Sequence, residues 1–223
     1  WGDVAAPLPE AVRPGSRRAK YAKEIGEVCR RRCGRTREAL AEGALPLCIG
    51  GDHSIAVGSV AGVAAHFRRR GMPIGLIWVD AHGDMNTPQS TVSGNVHGMP
   101  LATLLGKGLP SLARIGGFSP KVSPEQTVLL GVRNLDEREK SLVKKSGVAL
   151  YTMKDIDERG IHAVMEEAVG IATRGAAGFH LSLDMDAMDP SIAPGVGTPV
   201  RGGLSYREAH LCMEVVAESA AMT

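Results

Sequence analysis

Short apolar runs recur along this chain, and helical patterns fill the stretches between them. The runs are residues 45–49, 74–79, 128–131, 149–152 and 178–183. They are rich in Leu, Ile and Val and show little alternation with polar residues, which suits parallel strands buried on both faces. Between them, the spacing predicts helices over residues 18–42, 55–70, 137–146, 161–174 and 205–219. The last opens with Ser205 as N-cap and Glu208 three residues on, a capping-box pattern. Strand and helix in alternation imply an α/β sandwich around one parallel sheet. In such sheets, sites form beyond the carboxyl ends of the strands.

The polar clusters of the chain fall at those ends. Gly50-Gly51-Asp52-His53-Ser54 follows the first run. Asp80-Ala81-His82-Gly83-Asp84-Met85-Asn86 follows the second. Asp184-Met185-Asp186-Ala187-Met188-Asp189-Pro190 follows the last. In extended chain, residues i, i+2 and i+4 point to one side, so Asp80, His82 and Asp84 are expected to converge. A lone Asp52 or His53 is most simply a helix cap or a satisfied core histidine. Together the clusters gather several Asp and two His at one end of one sheet. Two carboxylates about 4 Å apart repel by roughly 4 kcal/mol at an effective dielectric near 20. Gathered carboxylates therefore call for cations, and two divalent ions would neutralise four Asp. Carboxylate and imidazole donors without thiolate favour Mn²⁺ over a Cys-rich zinc site. Two such ions would lower the pKa of a bridging water and supply hydroxide at neutral pH.

A further cluster, Ser93-Gly94-Asn95-Val96-His97-Gly98-Met99-Pro100, is a loop with small polar donors. Ser and Asn suit a ligand carboxylate, and an accessible His suits proton transfer near neutral pH. A well-capped turn explains the same residues equally well.

Composition narrows the function classes. The chain has 223 residues, 43% hydrophobic and 22% charged, ordinary for a soluble globular protein. No repeat or linker interrupts it, so one domain over residues 1–223 is expected. Aromatic residues are 4%, so the core must be mainly aliphatic. A net charge of +2 is too balanced to suggest nucleic acid or membrane as partner. No apolar run is long enough to span a bilayer, and no signal peptide is visible. The four cysteines, Cys29, Cys33, Cys48 and Cys212, form no CxxC pair and read as reduced thiols of a cytoplasmic protein. The run Arg30-Arg31-Arg32 with Arg35 and Arg37 reads as a solvated helix face. Both ends look cut, so the domain reads as incomplete.

Three of these segments carry a resemblance: Gly51-Asp-His-Ser54, Asp80-Ala-His-Gly-Asp84 and Ser182-Leu-Asp-Met-Asp-Ala-Met-Asp-Pro190. In their order and spacing the chain resembles the ureohydrolases, the family of arginases, agmatinases and formimidoylglutamases. The resemblance implies a three-layer α/β/α fold around a parallel sheet, truncated at the C-terminus, and two Mn²⁺ ions per chain. It implies Asp80 and Asp184 as bridging ligands, with His53 and Asp84 completing one ion and His82 and Asp186 the other. A bridging hydroxide would attack the guanidinium carbon, with Asp84 accepting its hydrogen bond and His97 shuttling the proton.

Within the family the arginase branch fits best. Asn86, Ser93 and Asn95 match the region that holds the α-carboxylate of L-arginine. Asp136 matches the acid that contacts its α-amino group, with Glu139 nearby, and Thr198 matches a pocket threonine. The products would be urea and L-ornithine. Another ureohydrolase, an agmatinase or guanidino-acid hydrolase, and a non-catalytic member of the fold are the alternatives. Arginases also carry a later glutamate that holds the guanidinium, and it would lie beyond Thr223; Glu214 and Glu218 do not replace it. Homo-oligomers, trimers or hexamers, are common in the family.

Overall fold

The computed structural model describes residues 2–223. It forms two compact units that interleave along the sequence. The first comprises residues up to Met72 together with Asp84–Val122, the second Pro73–Gly83 together with Ser123–Thr223.

The first unit is helical. It contains a small antiparallel hairpin, β1 (Gly15–Ser16) and β2 (Ala19–Lys20), and β2 falls within residues 18–42, expected to be helical. Helix α1 (Ala22–Ala41) therefore starts later than residue 18. It packs along α2 (Ala56–Arg68) through Cys29, Cys33, Val57 and Ala61. The approach is close: a Cβ on Gly58 would lie 2.7 Å from the Cys29 carbonyl, and one on Gly62 2.6 Å from Thr36 Cβ. Burying an aliphatic side chain here contributes about 1.5–3 kcal/mol. Arg30, Arg31, Arg35 and Arg37 face solvent, as their charge dictates. Two short helices follow, α3 (Pro100–Leu104) and α4 (Pro110–Ala113), each with Pro in its first turn, where the missing N–H costs nothing.

Residues 45–49 were expected to be the first strand, and they are not one. They form no ladder with any described residue, and Leu45, Leu47 and Ile49 are 55%, 85% and 81% exposed. An apolar run signals a wish for burial, but a strand exists only where a neighbour meets its backbone donors and acceptors.

The second unit carries the parallel sheet, in the order β5–β4–β3–β6. Its strands are β3 (Gly75–Val79), β4 (Thr127–Val132), β5 (Ala149–Thr152) and β6 (Phe179–Leu183). β3 and β4 are buried at every residue, which explains their unbroken apolar sequence. Helices α5 (Glu137–Ser146), α6 (Met153–Arg159), α7 (Ile161–Ala172) and α8 (Tyr206–Glu218) complete the unit. Helix α6 was not anticipated; a capping box of Thr152 and Asp155 starts it immediately after β5. Ser205 and Glu208 form the expected capping box of α8. The core of this unit joins Ile77, Val79, Val128 and Leu130 of the sheet to Val164 and Ala168 of α7.

Sheet register sets the stage for chemistry. Val79 pairs with Leu183, so Asp80 and Asp184 leave the sheet side by side. Asp80 N donates to the Leu130 carbonyl and Asp184 N to the Val79 carbonyl, each at 2.9 Å. Both carboxylates thus stand at the carboxyl end of neighbouring parallel strands.

Candidate metal centre and ligand loop

The aspartates that end β3 and β6, and Asp52 before α2, share one local device. Asp80 Oδ1 accepts from His82 N at 2.7 Å, Asp184 Oδ1 from Asp186 N at 2.8 Å, and Asp52 Oδ1 from Ser54 N at 3.0 Å. Each is an Asx-type turn, in which the carboxylate accepts from the backbone N–H two residues on. This corrects the expectation of extended chain through Asp80, His82 and Asp84. The strand ends at Val79, and the residues beyond it are turned rather than pleated.

In the second unit, Asp80, His82 and Asp186 come together, with candidate ligand atoms all within 4.8 Å of one another. His82 Nδ1 lies 3.4 Å from Asp80 Oδ1 and 3.0 Å from Asp186 Oδ2. Asp80 and Asp186 are 1% and 3% exposed. Burial alone would lower the His82 pKa, but hydrogen bonds and charge from Asp186 and Asp80 outweigh it and push the imidazole up to about 10. A proton on His82 thus stands where a cation is wanted between two buried carboxylates.

Further donors hold these carboxylates. Trp78 Nε1 donates to Asp80 Oδ2 at 3.1 Å, and Ala81 N to Asp186 Oδ1 at 3.2 Å. Thr198 Oγ1 donates to Asp186 Oδ2 at 3.0 Å, so this exposed threonine meets a ligand candidate. Asp136 Oδ1 caps α5 through Arg138 N and Glu139 N, both at 2.9 Å. Glu139 is buried against Gly83, where a Cβ would lie 3.0 Å from its Oε1. Glu214 is tied to Arg207 at 2.7 and 3.1 Å on the exposed side of α8.

In the first unit, His53 Nδ1 lies 3.3 Å from Asp84 Oδ2, and both side chains are largely buried. Asp84 adopts φ 49°, a left-handed conformation that costs a non-glycine residue on the order of 1 kcal/mol. Its carbonyl accepts from Ala102 N at 3.2 Å, which anchors the turn. Asn86 N donates to the Gly98 carbonyl at 3.1 Å, and Asn86 Oδ1 accepts from Ser90 Oγ at 2.8 Å. The same loop presents exposed Ser93 and half-buried Asn95, with half-buried His97 in a single 3-10 turn, Val96–Gly98.

Trp78 and Arg133 serve the same carboxylate turns without standing in any of the polar clusters that the sequence marks out. Arg133 Nη2 donates to the carbonyls of Asp186 and Val200 at 2.7 Å each and of Met188 at 3.2 Å, and Nη1 to that of Ala187 at 3.1 Å. The signal was present: an arginine one residue past a fully buried strand needs acceptors. Which acceptors it finds depends on a loop more than fifty residues away.

Known proteins are similar to this chain in sequence and fold. The Arginase family model matches residues 2–223. An arginase of Bacillus caldovelox is 48% identical over 225 aligned positions, covering 100% of this chain and 73% of that protein. The solved structure of Bacillus caldovelox arginase superposes with TM-score 0.89 at 47% identity, over 100% of this chain and 72% of that one. An Entamoeba histolytica arginase solved with L-ornithine has TM-score 0.89 at 29% identity, over 98% of this chain and 72% of that one. Metal-type ligands at parallel strand ends, the same fold and this level of identity agree: the chain belongs to the arginase family and is an arginase-type hydrolase.

Proposed function

We propose that the chain hydrolyses the guanidinium group of L-arginine to urea and L-ornithine, with two Mn²⁺ ions held by His53, Asp80, His82, Asp84, Asp184 and Asp186. The observation that carries the reading is His82 between two buried carboxylates, Asp80 and Asp186. Buried acids with one imidazole and no thiolate fit hard divalent cations. The pair His53–Asp84 offers the same donor types. The assignment of all six ligands across the chain rests on the family resemblance. When bound, such ions supply Lewis acidity that makes water nucleophilic at neutral pH.

The residues of the chain do the rest. Trp78, Thr198 and backbone N–H groups hold the carboxylates in place, so little reorganisation is left for the reaction. Asp84 accepts a hydrogen bond from the attacking water, and Asn86, Ser93 and Asn95 bind the α-carboxylate. Asp136 and Glu139 serve the α-ammonium. Water adds to the guanidinium carbon, the bond from that carbon to the side-chain nitrogen breaks, and His97 delivers the proton to the departing amine. This balances to urea and a primary amine.

The reading takes residues 1–223 as belonging to a single ureohydrolase domain. The resemblance supports a homo-oligomer. No helix among the described residues is long and apolar enough to cross a membrane. All four cysteines are free, which supports a reducing, cytoplasmic setting. The test is urea release from L-arginine, agmatine and guanidinobutyrate in the presence of Mn²⁺, with metal counted per chain. Preference for L-arginine is expected; preference for a substrate lacking the α-carboxylate refutes the reading.

A further inference from the structure

The β1–β2 hairpin and the loop at residues 93–95 belong to the same unit and are joined backbone to backbone. Lys20 N donates to the Gly94 carbonyl at 2.9 Å, and Lys20 and Asn95 form a parallel bridge. Gly94 makes this possible: its φ is +75°, and a Cβ there would lie 1.9 Å from the Arg17 carbonyl. The contact seats Lys20 Nζ 3.3 Å from Asn95 Oδ1.

That contact decides which end of the Asn95 amide is available. An amide offers an acceptor oxygen and two N–H donors, whereas lysine offers donors only. Lys20 occupies Oδ1, so Nδ2 keeps both N–H groups for another partner. Ser93 Oγ already accepts from Asn95 N at 3.1 Å, which leaves its O–H to donate. Among the described residues, nothing accepts from Asn95 Nδ2 or the Ser93 hydroxyl, and no carboxylate pairs with Lys20. Donors on three side chains, one of them cationic, ask for a ligand that only accepts and is negatively charged. A carboxylate meets both demands.

We infer that Lys20 is a specificity-determining residue, turning the Asn95 amide donor-outward and adding positive charge for the carboxylate of an amino-acid ligand. The inference rests on the proposed assignment of Ser93 and Asn95 to that carboxylate. It adds discrimination against decarboxylated amines, which gain nothing from a cation at this place.

Isothermal calorimetry with L-ornithine and putrescine tests it without requiring turnover. The two ligands differ by one carboxylate. In Lys20→Met the Kd for L-ornithine is expected to rise about tenfold, the worth of one charge-assisted hydrogen bond. The Kd for putrescine should not move. Lys20→Arg should restore L-ornithine binding, because it keeps charge and donors. Lys23→Met, which removes an exposed charge from the first turn of α1, should change neither ligand. Melting curves confirm folding, and Lys20→Gln replaces Lys20→Met if that variant does not fold. Unchanged L-ornithine binding in Lys20→Met overturns the inference, as does an equal loss for both ligands. If the wild type binds the two ligands equally, the carboxylate assignment of Ser93 and Asn95 falls, and the inference with it.

Discussion

Arg133 Nη2 donates to the backbone carbonyl of Asp186 at 2.7 Å, so a side chain at the end of β4 holds the main chain of a metal-ligand candidate at the end of β6. The other carbonyls in the same fork belong to Ala187, Met188 and Val200. The Ala187 carbonyl also accepts from Leu204 N at 2.9 Å, so the guanidinium shares that acceptor with the backbone. Lysine has no planar fork and cannot replace this arrangement. Arg133→Met should lower stability by about 2 kcal/mol, the cost of stranding buried acceptors. Arg133→Lys should recover little of it. Urea unfolding measures the loss, and metal counted per chain should fall in both variants. Full stability in Arg133→Met would show the carbonyls satisfied by other means.

Ligand and proton-shuttle roles separate by metal content. Asp184→Ala should lose at least one of the two ions, because Asp184 is proposed to bridge them. His97→Ala should keep both and lose roughly a hundredfold in turnover, a typical worth of general acid–base catalysis. Elemental analysis beside urea assays distinguishes the two. Loss of metal in His97→Ala would make it a ligand instead.

Gly94→Ala should disrupt the seating of the hairpin on the ligand loop. Its Cβ would collide with the Arg17 carbonyl, and its φ of +75° is strained for alanine. A loss of about 2 kcal/mol in stability is expected. L-ornithine should bind more weakly in the same variant, because Lys20 and Asn95 lose their shared backbone contact. Thermal melts and calorimetry check both effects.

Lys121 is a buried cation in the first unit. Its Nζ donates to the carbonyls of Ala113, at 2.5 Å, and Phe118, and sits 4.3 Å over the Phe118 ring. Burial is the main cause that pushes its pKa down to about 8; Arg68 adds to the shift and Cys33 opposes it. The unfolded chain keeps that proton to about 10.5. Between these values the unfolded state binds more protons, so this group makes stability rise with pH. The stability of wild type relative to Lys121→Met should therefore grow from pH 8 towards pH 10, measured by urea unfolding. A pH-independent difference would count against a lowered pKa.

The sequence alone made legible the parallel strands β3 to β6, the helices that alternate with them except α6, and the residue types of the candidate metal centre. Those features follow from periodicity and from polar residues placed where buried strands end. It also determined the Ser205 capping box, which is local. It misjudged residues 45–49, because apolar character does not specify a pairing partner. It misjudged the path beyond Asp80, because an Asx-type turn and pleated chain share the same spacing of polar residues. Only tertiary structure decided that His82 meets Asp186, that Asp84 meets His53 and that Thr198 reaches Asp186. Only tertiary structure placed Arg133 on the Asp186 turn and Lys20 on Asn95. The reason is physical: caps and strands are written in near neighbours, whereas a side chain finds its distant acceptors only after sheet register and turn geometry have fixed where the backbone runs.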